Sequence, residues 1–114
     1  MRPPEVPAVE VDAIPADAVL LDVREDDEWA AGHIAGATHV PMNSVPGKLQ
    51  HDPGPLTPDA PIVVLCKAGG RSAQVTGWLR QQGYDAVNMS GGMLAWARAH
   101  RPMEADDGGP ARVL

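Results

Sequence analysis

The segment Ile62-Val63-Val64-Leu65-Cys66-Lys67-Ala68-Gly69-Gly70-Arg71-Ser72 decides the fold of this 114-residue chain. Its first four residues form an unbroken apolar run, which is typical of a strand buried on both faces of a parallel sheet. Residues 71–82 are predicted to form a helix, because apolar side chains recur there at helical spacing and Gly83 follows. Cys66 is therefore expected at the carboxyl end of a strand, where ligands bind in such sheets.

Shorter patterns on both sides of this segment predict further strands and helices in alternation. Strands are predicted at residues 19–21, 37–42 and 86–89. Helices are predicted from the acidic stretch 25–28 to Gly32, at 43–50, and from a Ser90 cap to Pro102, whereas 51–61, with four prolines, is predicted to be a loop. The order predicts an α/β domain with a single, mostly parallel central sheet flanked by helices on both faces.

The length of 114 residues fits one domain with one site. Residues 1–8 are expected to form an N-terminal extension and residues 9–103 the folded domain. The polar, aperiodic residues 104–114 are expected to form a flexible C-terminal tail.

Charge and hydropathy exclude two classes of partner. The net charge is -6 and the nine Lys and Arg residues are scattered, so no basic face for nucleic acid is expected. No stretch approaches the roughly 20 apolar residues of a membrane helix, and the start of the chain is too polar and proline-rich for a signal peptide. We therefore expect a cytoplasmic protein with no membrane or nucleic-acid partner.

The chain contains one cysteine, which rules out an internal disulfide and a four-cysteine zinc site. His39, His51 and His100 show no metal-ligand spacing with one another or with Cys66. We expect neither a metal nor a cofactor.

The loop after the central strand carries the predicted chemistry. Its glycines allow successive backbone amides to converge at a helix N-terminus, which favours an anion. These amides, together with two cationic side chains, would favour the thiolate of Cys66, which could attack a sulfur-oxygen anion such as thiosulfate. The predicted substrate-binding residues are Lys67, Ala68, Gly69, Gly70, Arg71 and Ser72.

Several residues also have simpler, structural interpretations. A lone cysteine at a strand end is often only a small core residue, but here two glycines and an arginine follow it, which favours function. Asp22 and Arg24 are predicted to satisfy loop amides and each other, and His33 to belong to a turn rather than to a dyad with Cys66. The three tryptophans are predicted to be core anchors, and residues 25–28 a solvated helix start.

Several separated motifs occur in the chain: Leu21-Asp22-Val23-Arg24-Glu25, Gly32-His33-Ile34, Gly36-Ala37, the stretch from Cys66 to Ser72, and Gly91-Gly92-Met93-Leu94-Ala95-Trp96. Together they resemble the single-domain rhodanese family over roughly residues 9–103. The resemblance implies a rhodanese-like fold and a Cys66 that takes sulfane sulfur as a persulfide and passes it to cyanide or a thiol. It also implies that Lys67 to Ser72 form the active-site loop, and it suggests a partner protein in a sulfur relay.

Loop length separates substrates within this family. Cys66 to Arg71 spans six residues, which in the family suits sulfur, whereas seven-residue loops occur in relatives that handle phosphate or arsenate. Gly70 and Ala68 depart from the larger or more polar residues that many relatives have, which bears on the choice of donor.

The leading hypothesis is a thiosulfate-type sulfurtransferase. A binding module that uses only the anion pocket, a small phosphatase or arsenate reductase, and a redox sensor acting through Cys66 are the alternatives.

Overall fold

The computed structural model describes residues 5–114, so the first four residues of the predicted N-terminal extension lie outside the described residues. The elements in chain order are β1 (Ala8–Val9), β2 (Val19–Asp22), α1 (Asp26–Ala31), β3 (Thr38–His39), a 3-10 turn (Met42–Ser44), α2 (Val45–His51), β4 (Ile62–Leu65), α3 (Gly70–Gln81), β5 (Ala86–Met89) and α4 (Gly92–Arg98). The five strands form one sheet in the order β1-β5-β4-β2-β3, and every pair is parallel. The predicted α/β class is confirmed.

Strand β4 lies at the centre of the sheet and is buried on both faces, as its unbroken apolar run predicted. Ile62 and Val64 pack in a cluster with α2 and α3, whereas Val63 and Leu65 pack in a second cluster with Met93 and Trp96 of α4. Because successive side chains on a strand point to opposite faces, one short strand anchors both cores. Cys66 follows directly at the carboxyl end of this strand.

The element boundaries differ from the predicted ones in several places. Strand β1 was not predicted, and β3 covers two residues where six were expected, because only Thr38 and His39 pair with β2 and Met42 begins the 3-10 turn. Helix α3 begins at Gly70, one residue early. Helix α4 begins two residues after the predicted Ser90 cap, with Gly91 at its N-cap. Within residues 5–114, no helix combines the length and apolarity required to cross a membrane.

The C-terminal segment differs from the flexible tail that was expected. Glu104 forms an antiparallel bridge with His33, in which each backbone nitrogen donates to the other residue's carbonyl oxygen at N···O distances of 2.9 and 2.8 Å. Further on, the amides of Asp106 and Arg112 donate to the carbonyls of Ala30 and Ala31 at 3.0 and 2.9 Å. Backbone hydrogen bonds to the end of α1 therefore hold residues 104–112 against the domain, and such bonds leave no hydrophobic pattern in the sequence.

Candidate active site

Cys66 lies at the junction of β4 and α3, and the residue is 1% exposed. The amides of Gly69 and Ser72 donate toward Sγ at 3.1 and 3.5 Å, and the Ser72 hydroxyl lies 3.2 Å from it. Gly69 has a φ of +113°, a conformation that a residue with a side chain rarely adopts. This conformation turns the loop so that donors on both sides of Gly70 face the same sulfur atom.

The surroundings of Cys66 act on its ionisation in opposite directions. Burial raises the pKa of the Cys66 thiol, because a charged group is poorly solvated away from water. The Ser72 hydroxyl and the amides of Ser72, Gly69 and Ala68 lower this pKa by donating to the thiolate, and their sum outweighs burial. The net pKa is lowered, so the site favours the nucleophilic form of cysteine.

The first residues of α4 hold the loop from its other side. The amides of Met93 and Leu94 donate to the carbonyls of Cys66 and Lys67 at 2.9 and 3.0 Å. A Cβ atom on Gly92 would lie 2.5 Å from the Cys66 oxygen and 2.6 Å from the Lys67 oxygen. The close approach of α4 to the loop therefore requires glycine at this position, which explains part of the Gly91-Gly92 motif.

Arg71 does not point its guanidinium at Cys66 but binds Glu28 of α1. The two carboxylate oxygens of Glu28 accept from Nη1 and Nη2 at 2.7 and 2.9 Å, across 43 residues of sequence. The hydrogen bond from Arg71 lowers the pKa of Glu28 to about 2, and the same pair raises the pKa of Arg71. The interpretation of residues 25–28 as only a solvated helix start is therefore wrong at Glu28, which ties α1 to the loop.

This pair predicts a pH-dependent stability. The pKa of Glu28 is lowered to about 2 from 4.5. The contribution of Glu28 to stability is therefore fully present above its pKa in the unfolded chain, and it is lost as the pH falls through its pKa in the folded protein. We expect Glu28→Gln to lower Tm by a few degrees at pH 7. The difference in Tm between this variant and the wild type should disappear by about pH 2. Thermal melts followed by circular dichroism across this range check it.

Asp26→Asn is the matched control for that series, because Asp26 lies in the same helical turn and is 92% exposed. A gap between wild type and Glu28→Gln that is equal at pH 3 and pH 7, or one that Asp26→Asn reproduces, would contradict the assignment.

Asn88 of β5 also reaches the site, although the pattern of residues 86–89 predicted only a strand there. Its side-chain amide donates to the Gly69 carbonyl at 3.1 Å, and its oxygen accepts from the Ser72 hydroxyl at 2.6 Å. The residue is 9% exposed and lies beside Val64 of β4. A polar residue in an otherwise apolar strand, next to the strand that carries Cys66, was the available signal.

Three of the predicted loop residues face the outer side of the site. A cavity of about 590 Å³ lies there, lined by Ala68, Gly69 and Gly70 on the loop side and by Asn88 and Ser90 opposite them. The loop thus brings the amides of Ala68, Gly69 and Ser72 to the sulfur. Arg71, by contrast, is placed against α1.

The structural interpretations of three nearby residues are confirmed. Arg24 is fully buried and donates to both oxygens of Asp22, as well as to the carbonyls of Glu28 and Gly32. His33 contacts the carbonyl of Trp29 at 2.8 Å and stacks on its ring at 3.8 Å. These groups position α1 and take no part in the contacts to Sγ.

Comparison with known proteins identifies the family of this fold. The profile of the family described as "Rhodanese-like domain" matches residues 8–99. A protein of Allochromatium vinosum named "Sulfurtransferase" is 39% identical over 93 residues, which cover 81% of this chain and 83% of that protein.

Two solved structures share the fold. A rhodanese-related protein from Thermoplasma volcanium is 27% identical with a TM-score of 0.73, and the match covers 85% of this chain and 96% of that one. A rhodanese-like domain protein from Staphylococcus aureus is 29% identical with a TM-score of 0.71, over 93% and 98% of the two chains. By its profile match, its relatives and its fold, the chain belongs to the rhodanese-like family of sulfurtransferases.

Proposed function

We propose that this protein is a sulfurtransferase that carries sulfane sulfur as a persulfide on Cys66, with thiosulfate or a similar sulfur-containing anion as donor and cyanide or a thiol as acceptor. The observation that carries the proposal is the convergence of the Gly69 and Ser72 amides and the Ser72 hydroxyl on Sγ. These donors stabilise negative charge on sulfur, which is the state that each half of the reaction requires.

In the first half-reaction the Cys66 thiolate attacks the outer sulfur of thiosulfate. A bond forms between Sγ and that sulfur, the sulfur–sulfur bond of thiosulfate breaks, and sulfite leaves with the bonding electron pair. The step resembles thiol–disulfide exchange and requires no external oxidant. The added sulfur then carries the negative charge.

In the second half-reaction the acceptor attacks that added sulfur. Its bond to Sγ breaks, the electron pair returns to Sγ, and the thiolate is restored while cyanide leaves as thiocyanate or a thiol leaves as a persulfide. The donors to Sγ stabilise this leaving thiolate as they stabilised the attacking one. One set of loop amides therefore serves both halves.

The short loop supports sulfur rather than phosphate as the substrate. A transferred phosphoryl group needs donors around three oxygens, whereas the donors here converge on the single sulfur atom of the buried Cys66. The small residues Ala68 and Gly70 leave the outer cavity open, and this opening supports an acceptor that is larger than cyanide, such as a thiol on a partner protein. We further propose that the protein acts in the cytoplasm.

Steady-state kinetics with thiosulfate and cyanide test the proposal. Because the enzyme alternates between free and persulfide forms, we expect parallel double-reciprocal lines for thiocyanate production. Cys66→Ser is the matched control, because serine has a side chain of similar size but carries a hydroxyl in place of the thiol. This variant should produce no thiocyanate above the uncatalysed rate.

Hydrolysis of p-nitrophenyl phosphate is measured on the same preparations. Cys66-dependent release of phosphate without thiocyanate production would contradict the proposal and would favour a phosphatase. Intersecting rather than parallel lines would also contradict the persulfide intermediate.

A further inference from the structure

The side chains of Asn88 and Ser72 form a hydrogen-bonded chain that ends on Sγ of Cys66. The Asn88 amide nitrogen donates to the Gly69 carbonyl at 3.1 Å, and only the NH₂ end of an asparagine can donate. The Asn88 oxygen therefore faces Ser72, and because a carbonyl oxygen only accepts, the hydroxyl at 2.6 Å must be the donor. The orientation of the amide fixes the direction of the chain.

Ser72 has a single hydroxyl proton and two acceptors within reach. Asn88 Oδ1 is 2.6 Å from Oγ, at the short end of O–H···O hydrogen bonds, whereas Sγ is 3.2 Å away. While Cys66 is a thiol, its S–H can donate to Ser72 Oγ, and the hydroxyl proton stays on the side of Asn88. All three groups are then satisfied.

Ionisation of Cys66 changes this pattern. The thiolate can only accept, so the Ser72 proton must turn toward Sγ, and the buried oxygen of Asn88 loses its donor. In the persulfide the charge moves to the added sulfur, about 2 Å beyond Sγ, and the proton can return to Asn88. Whether the Ser72 proton bonds to Asn88 or to Sγ therefore depends on whether Cys66 is a thiol, a thiolate or a persulfide.

We propose that Asn88 is a positioning residue that limits the ionisation of Cys66 by competing with Sγ for the hydroxyl proton of Ser72. The proposal rests on Cys66 being the nucleophile of the proposed function. It concerns the thiol before any substrate is bound, so it can be tested without sulfur transfer.

The charged groups around the site are the same in every variant that the test uses. Arg71 lies in the first turn of α3, and Lys67 directly follows Cys66 in the loop. Glu28 of α1 acts through its bond to Arg71, and Glu5 lines the outer cavity beside Asn88. Neutral substitutions at Asn88 and Ser72 leave these four charges in place, so a change in ionisation reports the hydrogen-bond chain.

The experiment measures the rate of Cys66 alkylation by iodoacetamide against pH, with thiolate absorbance near 240 nm as a second readout. Cys66 is the chain's single cysteine, so the signal belongs to one residue. Asn88→Leu frees the Ser72 proton for sulfur and should lower the midpoint by about one pH unit. In a Ser72→Ala background, the same substitution should not lower it.

Two further variants serve as a control and as a replacement. Thr76→Val removes a buried hydroxyl that donates to the Ser72 carbonyl at 2.7 Å, and it should leave the midpoint unchanged. Asn88→Ala replaces Asn88→Leu if the leucine variant does not fold by circular dichroism, because it also lacks the acceptor.

A midpoint that rises or stays constant in Asn88→Leu, or one that falls equally with and without the Ser72 hydroxyl, would overturn the inference. The expected midpoints combined with a failure of every sulfane donor to load Cys66 would uphold the inference and reject the proposed function.

Discussion

Replacing Asp22 with alanine is expected to destabilise the domain by about 3–5 kcal/mol, because it leaves the buried charge of Arg24 without its counterion. Both side chains have no exposed surface, and the shortest distance between them is 2.8 Å. A small domain has about 5–15 kcal/mol of stability, so this single change should unfold a measurable fraction of the protein. Urea unfolding followed by tryptophan fluorescence measures the loss.

Asp59→Ala is the control for this variant, since Asp59 is exposed in the loop before β4 and its replacement should change stability by less than about 0.5 kcal/mol. The double variant Asp22→Leu/Arg24→Met should recover part of the loss by removing the unpaired charge. An Asp22→Ala variant as stable as Asp59→Ala would contradict the account of this pair.

Gly92→Ala is expected to slow sulfur loading of Cys66 by about a hundredfold, since small displacements of a nucleophile have effects of this size. The added Cβ would lie 2.5 and 2.6 Å from the carbonyl oxygens of Cys66 and Lys67, so the loop must move. The φ of +57° adds a backbone cost of about 1–2 kcal/mol for alanine. Single-turnover loading with thiosulfate gives the rate.

Gly83→Ala separates the backbone cost of a positive φ from the displacement of the loop by an added Cβ. Gly83 has a φ of +93°, and an added Cβ there would contact nothing within 4 Å, so this variant should lose stability but load sulfur at the wild-type rate. Gly92→Ala loading at the rate of Gly83→Ala would show that α4 does not position the loop.

The central part of the fold could be predicted because it depends on local patterns. The apolar run Ile62–Leu65 and the periodicity of α3 indicated a buried parallel strand and the helix that follows it. The two-residue strand β1 has no periodicity, and the segment after Glu104 is held mainly by backbone hydrogen bonds, with Val113 packed against the second core cluster. Neither leaves a pattern from which it could be predicted.

The site could be predicted where it depends on the backbone and not where it depends on distant side chains. Glycine positions after Cys66 indicated the donors to sulfur, of which Gly69 and Ser72 are observed. The Glu28–Arg71 pair joins residues 43 apart, and in the sequence Glu28 is one carboxylate among several in an acidic stretch. Asn88 reaches the loop only because β5 lies beside β4 in the sheet.

The intact mass of the protein after incubation with thiosulfate reports the persulfide itself. We expect the wild type to gain the mass of one sulfur atom, cyanide to remove it with release of thiocyanate, and Cys66→Ser to gain nothing. A wild-type mass that stays unchanged with thiosulfate and with other sulfane donors would contradict the persulfide account and leave an anion-binding module as the explanation of the loop.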